Sequence, residues 1–311
     1  MDLDLFPASL PVVATVQRYD GGPRWLARLP GVVEELRERW SLRLGAPFNG
    51  GSCSWVAPVR LPGGDPAVLK VTWPHREAMG EAEGLRLWDG RGAVRLYRED
   101  RDHLAVLVER CEPGTTLADA EQLSPDRRLL IGAQLLYELW SAPVPEQTGL
   151  ERLGEVTGVW ADLVEQRMER LKPGFDPWLV ALGARLLREL PTGAQRAVIV
   201  HGDFNPGNIL AAQRKPWLVI DAKPMLGDAG YDVWPLISQI DDPFARADAA
   251  RLLAERMTLI ADMAGQDARR LAAWCVAREV EAALWLAEHP HTPFPVGSME
   301  RARLFAQLAE L

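Results

Sequence analysis

An α+β fold in two lobes, a small antiparallel-sheet lobe followed by a mainly helical one, is the architecture the sequence predicts. Three observations point there. The first 110 residues alternate short apolar runs with Gly/Pro turns around a few helical patterns. The remainder is dominated by long stretches of 3.6-residue apolar spacing. Three short strand patterns, at 197–200, 208–212 and 216–221, interrupt that helical region as a group.

Taken in order, residues 24–41 put Trp25, Leu26, Leu29, Val32, Val33, Leu36 and Trp40 on one helical face, with Arg and Glu opposite. Residues 55–61 and 67–73 are apolar strands divided by the turn sequence Pro62-Gly63-Gly64-Asp65-Pro66. A helix is predicted over 75–89, then strands near 93–98 and 104–109. Pro113-Gly114 breaks the pattern, so a hinge is expected at 109–114, dividing the chain into 1–110 and 111–311. Ser124-Pro125-Asp126 reads as an N-cap followed by proline at the first helical position. Leu129, Leu130, Ala133, Leu136, Leu139 and Trp140 line the face that follows. Further helices are predicted over 155–171, 177–190, 243–264 and 266–288, the last stopped by Pro290.

Composition narrows the function classes. The 311 residues suffice for substantial cores, and a net charge of -8 argues against nonspecific nucleic-acid binding, which needs a positive surface. An acidic chain can steer a cationic ligand. Cys53, Cys111 and Cys275 are widely separated and form no CxxC pair, which suits a reduced intracellular compartment. The N-terminus lacks a secretory pattern, and no apolar run approaches the roughly 20 residues of a membrane span. A cytoplasmic monomer without a membrane partner is the expectation.

The chemistry concentrates in His201-Gly202-Asp203-Phe204-Asn205-Pro206-Gly207-Asn208, followed by Ile220-Asp221 at the end of a second strand. A lone Asp203 would be read as a turn aspartate. With Asn208 five residues on and Asp221 beyond a short apolar hairpin, a carboxylate that orients a hydroxyl is combined with two hard oxygen donors for Mg²⁺. No Cys or His clusters with them, which argues against zinc. Lys70 ends the apolar segment Ala67-Val68-Leu69-Lys70; alone it would be an edge lysine. Glu77, Glu81 and Glu83 in the following helix compete as its partner. Asn49-Gly50-Gly51-Ser52-Cys53-Ser54 precedes the strand pair and could let backbone and hydroxyls approach phosphate.

These residues resemble the aminoglycoside phosphotransferase branch of the kinase-like superfamily. His201-Gly202-Asp203 stands where protein kinases have His-Arg-Asp. Asp221-Ala222-Lys223-Pro224, Gly227-Asp228, Tyr231-Asp232, Glu109-Arg110-Cys111-Glu112-Pro113-Gly114 and Trp88-Asp89-Gly90-Arg91-Gly92-Ala93-Val94 are similar to its streptomycin 6-kinase and hydroxyurea phosphotransferase subgroup. The resemblance implies a bilobal protein-kinase-like fold using ATP and Mg²⁺. Asp203 is then the catalytic base, and Asn208 and Asp221 the metal ligands. Lys70 holds phosphates and is fixed by Glu81, which alignment favours over Glu77 and Glu83. Gly51, Ser52 and Ser54 cover phosphates, and the backbone at Glu109 and Cys111 meets adenine.

His201 is read as a brace for the backbone around Asp221. Ala222-Lys223 in place of Phe-Gly makes an in/out metal-loop switch unexpected, and a constitutively active enzyme expected. Asp228, Asp232 and Glu279 are candidates for a cationic substrate, with Glu281, Glu288 and the Trp285 ring further along the last helices. The implied activity is ATP-dependent phosphorylation of streptomycin at its 6-hydroxyl. The alternative is hydroxyurea or another small metabolite, and a non-catalytic kinase-like binding module is the remote one.

Overall fold

The computed structural model describes residues 4–289 and 297–311. Pro290, expected to stop a helix, lies outside the described residues. Two helices, α1 (Pro11–Val16) and α2 (Gly22–Arg39), precede a five-stranded antiparallel sheet. Its strands are β1 (Arg43–Leu44), β2 (Ser54–Arg60), β3 (Pro66–Thr72), β4 (Leu96–Asp100) and β5 (Ala105–Glu109), in the order β1-β2-β3-β5-β4. Period-two alternation explains how the sheet packs. Trp55, Ala57, Val59, Ala67, Leu69, Val71, Ala105 and Leu107 all project to one side and share a core with Leu29, Val33 and Leu36 of α2. The register Val56↔Lys70↔Val106 puts Lys70 on the opposite face. The amphipathic α2 therefore fixes which way that lysine points.

The helix expected over 75–89 is divided. Arg76–Ala78 forms a single 3₁₀ turn, and α3 runs only from Glu81 to Trp88. The cause is tertiary. Gly80 and Gly84 lie against Pro224, and a Cβ on Gly84 would come 2.5 Å from its Cγ.

The rest is mainly helical: α4 (Pro125–Trp140), α5 (Leu153–Leu171) and α6 (Pro177–Thr192) precede four short strands. Ser124 caps α4 by accepting from the Arg127 amide, as its sequence predicts. β6 (Val198–Val200) pairs with β9 (Met225–Gly227), and β7 (Ile209–Ala211) pairs with β8 (Trp217–Val219), both antiparallel. After them come α7 (Val233–Gln239), α8 (Ala249–Ala264), α9 (Ala268–Glu288) and α10 (Ser298–Leu308). The helix expected from 243 begins at Ala249, because Pro243 opens only a 3₁₀ turn. Helices α1, α7 and α10 and the short strands β1 and β9 were not expected from the sequence. Among the described residues no helix is long and apolar enough to cross a membrane.

Candidate active site

The two small hairpins bring the loop 201–208 against Asp221. Asp232, buried, is the loop's anchor. One carboxylate oxygen accepts from the His201 amide at 2.8 Å and from the Trp140 indole at 3.0 Å, and the other accepts from the Gly202 amide at 2.8 Å. His201 is also fully buried, stacked on Trp88. Its Nε2–H donates to the Ile220 carbonyl at 3.0 Å and its Nδ1 accepts from the Asp203 amide at 3.3 Å, which assigns one neutral tautomer. Burial pushes its pKa down despite Asp232 and Asp203 nearby. The ring ties the loop to the backbone beside Asp221.

Gly202 has φ +85, a left-handed conformation, and a Cβ there would sit 2.1 Å from the Lys223 carbonyl oxygen. Only glycine fits, so the segment after Asp221 can close onto the loop. Asp203 follows. Its backbone carbonyl accepts from the Asn208 carboxamide at 3.0 Å. Its carboxylate takes the Asn205 amide at 3.1 Å on Oδ1 and the Lys223 ammonium at 3.0 Å on Oδ2. Burial opposes its charge, but Lys223 and Asn205 outweigh that and hold the carboxyl below its usual value.

Asn208 and Asp221 flank the open end of the β7–β8 hairpin, where the Ile220 amide donates to the Asn208 carbonyl at 2.9 Å. Asn208 spends an amide N–H on Asp203, leaving its carboxamide oxygen as the donor atom for a ligand. The Lys70 ammonium donates to Asp221 Oδ1 at 2.5 Å and to Glu81 Oε1 at 2.7 Å. Lys70 holds the Asp221 carboxyl down at about 2, and the two carboxylates keep Lys70 protonated in spite of its burial.

Glu81 is thus the glutamate bonded to Lys70. Glu83 instead accepts from the Thr148 hydroxyl at 2.5 Å and the Gly149 amide at 2.7 Å, and Glu77 faces Lys223 at 3.5 Å. Two hard oxygen donors fit Mg²⁺ taking its other positions from phosphate and water. No group of three His, Cys, Asp or Glu among the described residues could hold a metal on its own.

At the glycine-rich segment, Gly51 adopts φ +86 before β2, and Ser52 is exposed. Ser54 differs from expectation. It opens β2 on the same side as Lys70, but its buried hydroxyl is engaged with that of Thr72 at 3.0 Å within the sheet. At the hinge, the Glu109 side chain is occupied within the fold. Arg214 grips it at 2.8 Å while also donating to the Gly90 and Ala93 carbonyls, both at 2.9 Å. What Glu109 and Cys111 can offer a nucleotide is backbone. Burial pushes the Cys111 thiol up to about 12.

The three carboxylates expected at a cationic substrate are occupied within the fold. Asp228 accepts from the Gly230 amide at 2.9 Å and pairs with Arg270 at 2.8 Å. Asp232 anchors the loop. Glu279 is fully buried between the Trp234 indole (2.9 Å) and Arg301 (3.1 Å). All three are buried and partnered, which their sequence neighbourhood alone did not reveal. Glu288 is likewise held by Arg167, and Trp285 stacks on His289.

A cleft does open beside Asp203, lined by Glu77, Glu151, Trp160, Gly202, Lys223 and Tyr231, among others. The Trp160 face receives two guanidinium groups, Arg278 at 5.6 Å and Arg76 at 5.9 Å, and Arg76 also pairs with Glu151 at 2.7 Å. Glu151, Trp160 and Arg214 were not expected in this region, and Asn205, Lys223 and Tyr231 stood only inside motifs, without roles of their own. Asn205 alone carried a local signal, an Asx turn ahead of Pro206-Gly207.

A sheet with an inward lysine, hinged to helices that carry an Asp-Asn-Asp device, defines a kinase-like phosphotransferase. The fold matches choline kinase LicA from Streptococcus pneumoniae with a TM-score of 0.61 at 13% identity, over 91% of this chain and 99% of that one. Residues 39–289 match the family described as aminoglycoside/hydroxyurea antibiotic resistance kinase. A streptomycin 6-kinase of Streptomyces glaucescens is 37% identical over 88% of this chain and 89% of its own. A hydroxyurea phosphotransferase of Kitasatospora aureofaciens is 34% identical over 93% and 82%. The chain belongs to this family of antibiotic resistance kinases and is a phosphotransferase acting on a hydroxyl group.

Proposed function

We propose that this enzyme transfers the γ-phosphoryl group of ATP to streptomycin, at its 6-hydroxyl, and so inactivates the antibiotic. The observation that carries the acceptor is the cleft beside Asp203. Its Glu77 and Glu151 carboxylates are half-exposed and paired with Arg76 and Lys223, and its tryptophan face carries the protein's own guanidinium groups, so an incoming guanidinium, the group type that streptomycin presents, would exchange with these partners. Carboxylates and ring faces recognise guanidinium by bidentate hydrogen bonds and cation–π contact. The identity to a streptomycin 6-kinase supports the same reading.

In this reading residues 1–110 cover the nucleotide, with Gly51 and Ser52 over its phosphates, Lys70 against them and the backbone at Glu109 and Cys111 on the adenine edge. Residues 111–311 carry the acceptor and the chemistry. Asn208 and Asp221 would hold Mg²⁺, which would supply positive charge against that of the phosphates. Asp203 accepts a hydrogen bond from the acceptor hydroxyl, orients its oxygen and takes the proton late, because the transition state is loose. A carboxyl held below its usual value is a weak base, so orientation is its main contribution. Glu81 keeps Lys70 in place. The reading carries with it a cytoplasmic, monomeric enzyme.

The test is an ADP-release screen over streptomycin, other aminoglycosides and hydroxyurea, with the phosphate located on the product by NMR. Turnover with streptomycin at the 6-hydroxyl is expected. Turnover of hydroxyurea with streptomycin inert would replace the acceptor and leave the enzyme class standing.

A further inference from the structure

Lys223 has no task in the reading above, yet it is built into the site from both ends. Its backbone amide donates to the His201 carbonyl at 2.8 Å, and its own carbonyl packs on Gly202 where no other residue fits. The residue is thereby clamped to the loop that carries Asp203, and its ammonium reaches Asp203 Oδ2 at 3.0 Å. Glu77 Oε2 lies 3.5 Å from the same ammonium.

The site contains two ammonium groups. Lys70 is committed to Glu81 and Asp221. Lys223 is the one assigned to Asp203. As a stabilising ion pair it would contribute little, since its side chain is 34% exposed and that of Asp203 31%. As a geometric restraint it contributes more. Asn205 engages Oδ1 and Lys223 engages Oδ2, so the two together fix the plane of the carboxylate. With Asn205 alone the group can turn about its last bond.

We propose that Lys223 is a positioning residue for phosphoryl transfer, locking the Asp203 carboxylate in the orientation that receives the acceptor hydroxyl. The inference rests on the reading of Asp203 as the hydroxyl-orienting carboxylate. Misplacing a reacting group by about 1 Å can cost roughly a hundredfold in rate. Lys223→Met should therefore lower kcat about ten- to a hundredfold, leave the KM for MgATP nearly unchanged and be partly rescued by Lys223→Arg.

The deciding experiment is a double-mutant cycle of Lys223→Met and Asp203→Asn, with streptomycin as acceptor and radiolabelled γ-phosphate to measure residual turnover. If Lys223 acts through Asp203, Lys223→Met should cost nothing further in the Asp203→Asn background. Equal fractional losses in both backgrounds would overturn the proposal, as would an unchanged kcat in Lys223→Met alone. A general folding defect also lowers both backgrounds alike and so counts against it. Wild-type turnover in Asp203→Asn itself would overturn the reading of Asp203, and this inference with it. Absence of streptomycin turnover in the wild type bears on the acceptor, and the same cycle is then run with hydroxyurea.

Discussion

Lys70 and Asp221, 151 positions apart in sequence, meet as an ion pair at 2.5 Å. The proposed chemistry asks each of them to serve a second partner, phosphate for the lysine and Mg²⁺ for the aspartate. Asp221→Ala should therefore lower MgATP affinity at least tenfold, because the metal loses a carboxylate. Affinity for ATP without metal should hold or rise, since Lys70 is released toward phosphate. Calorimetry in the presence and absence of Mg²⁺ reads both. Unchanged MgATP affinity would move the metal site elsewhere.

Asp203→Asn should cut kcat by about 10²–10⁴-fold, the scale for losing a positioned general base. Nucleotide affinity should survive, since Asp203 holds neither metal nor phosphate in the proposed arrangement. Near-normal turnover would remove Asp203 from the mechanism.

The buried carboxylates should behave as braces. Asp228→Asn, Asp232→Asn and Glu279→Gln each leave a charged or hydrogen-bonded partner mismatched, at a cost of about 1–3 kcal/mol of stability. The streptomycin KM of the folded protein should not move. Glu77→Gln and Glu151→Gln should do the reverse, raising that KM about tenfold or more while the melting temperature changes little. Exchange of these two patterns would return the acceptor site to the helices beneath the loop.

His201 gives stability a pH dependence of known sign. Its native pKa is lowered from 6.5 by burial, so below that pH the unfolded chain binds a proton that the native protein refuses. The contribution is fully present above pH 6.5 and declines as pH falls toward the native value, by up to about 1.4 kcal/mol per unit. Asp203 and Asp221, both lowered, lose their contributions only below 3.8. Burial raises Asp232, Glu279 and Glu281, which gives them the opposite slope. Urea melts of the wild type and His201→Gln across about pH 5 to 8 separate them. The variant should lose the acid-side decline, and an identical slope would refute the assignment.

Much of this arrangement was legible in the chain, and what was not has identifiable causes. Period-two alternation around Lys70 and helical spacing in α2 anticipated the sheet and its covering helix, because one buried face leaves a periodic trace. Asp203, Asn208 and Asp221 stood out because a loop bounded by apolar strands has few other reasons for three such side chains. The acceptor cleft left no such trace. Glu77, Glu151, Trp160 and Lys223 come from four segments and meet only through packing, and each alone looks like an ordinary surface or core residue. The same limit misdirected Asp228 and Glu279, whose partners Arg270 and Arg301 are 42 and 22 positions away. Helix α3 was drawn too long because Pro224, 140 residues on, dictates the break at Gly80 and the contact at Gly84.

Helix α3 is fastened on two sides. Glu83 holds the 148–149 segment, and Gly84 presses directly on Pro224, three residues beyond Asp221. Swinging α3 outward to uncouple Glu81 from Lys70 would have to tear both contacts at once. A helix fastened in this way offers no switch at Glu81. If the proposed function holds, control would have to act on the amount of enzyme rather than on the position of α3.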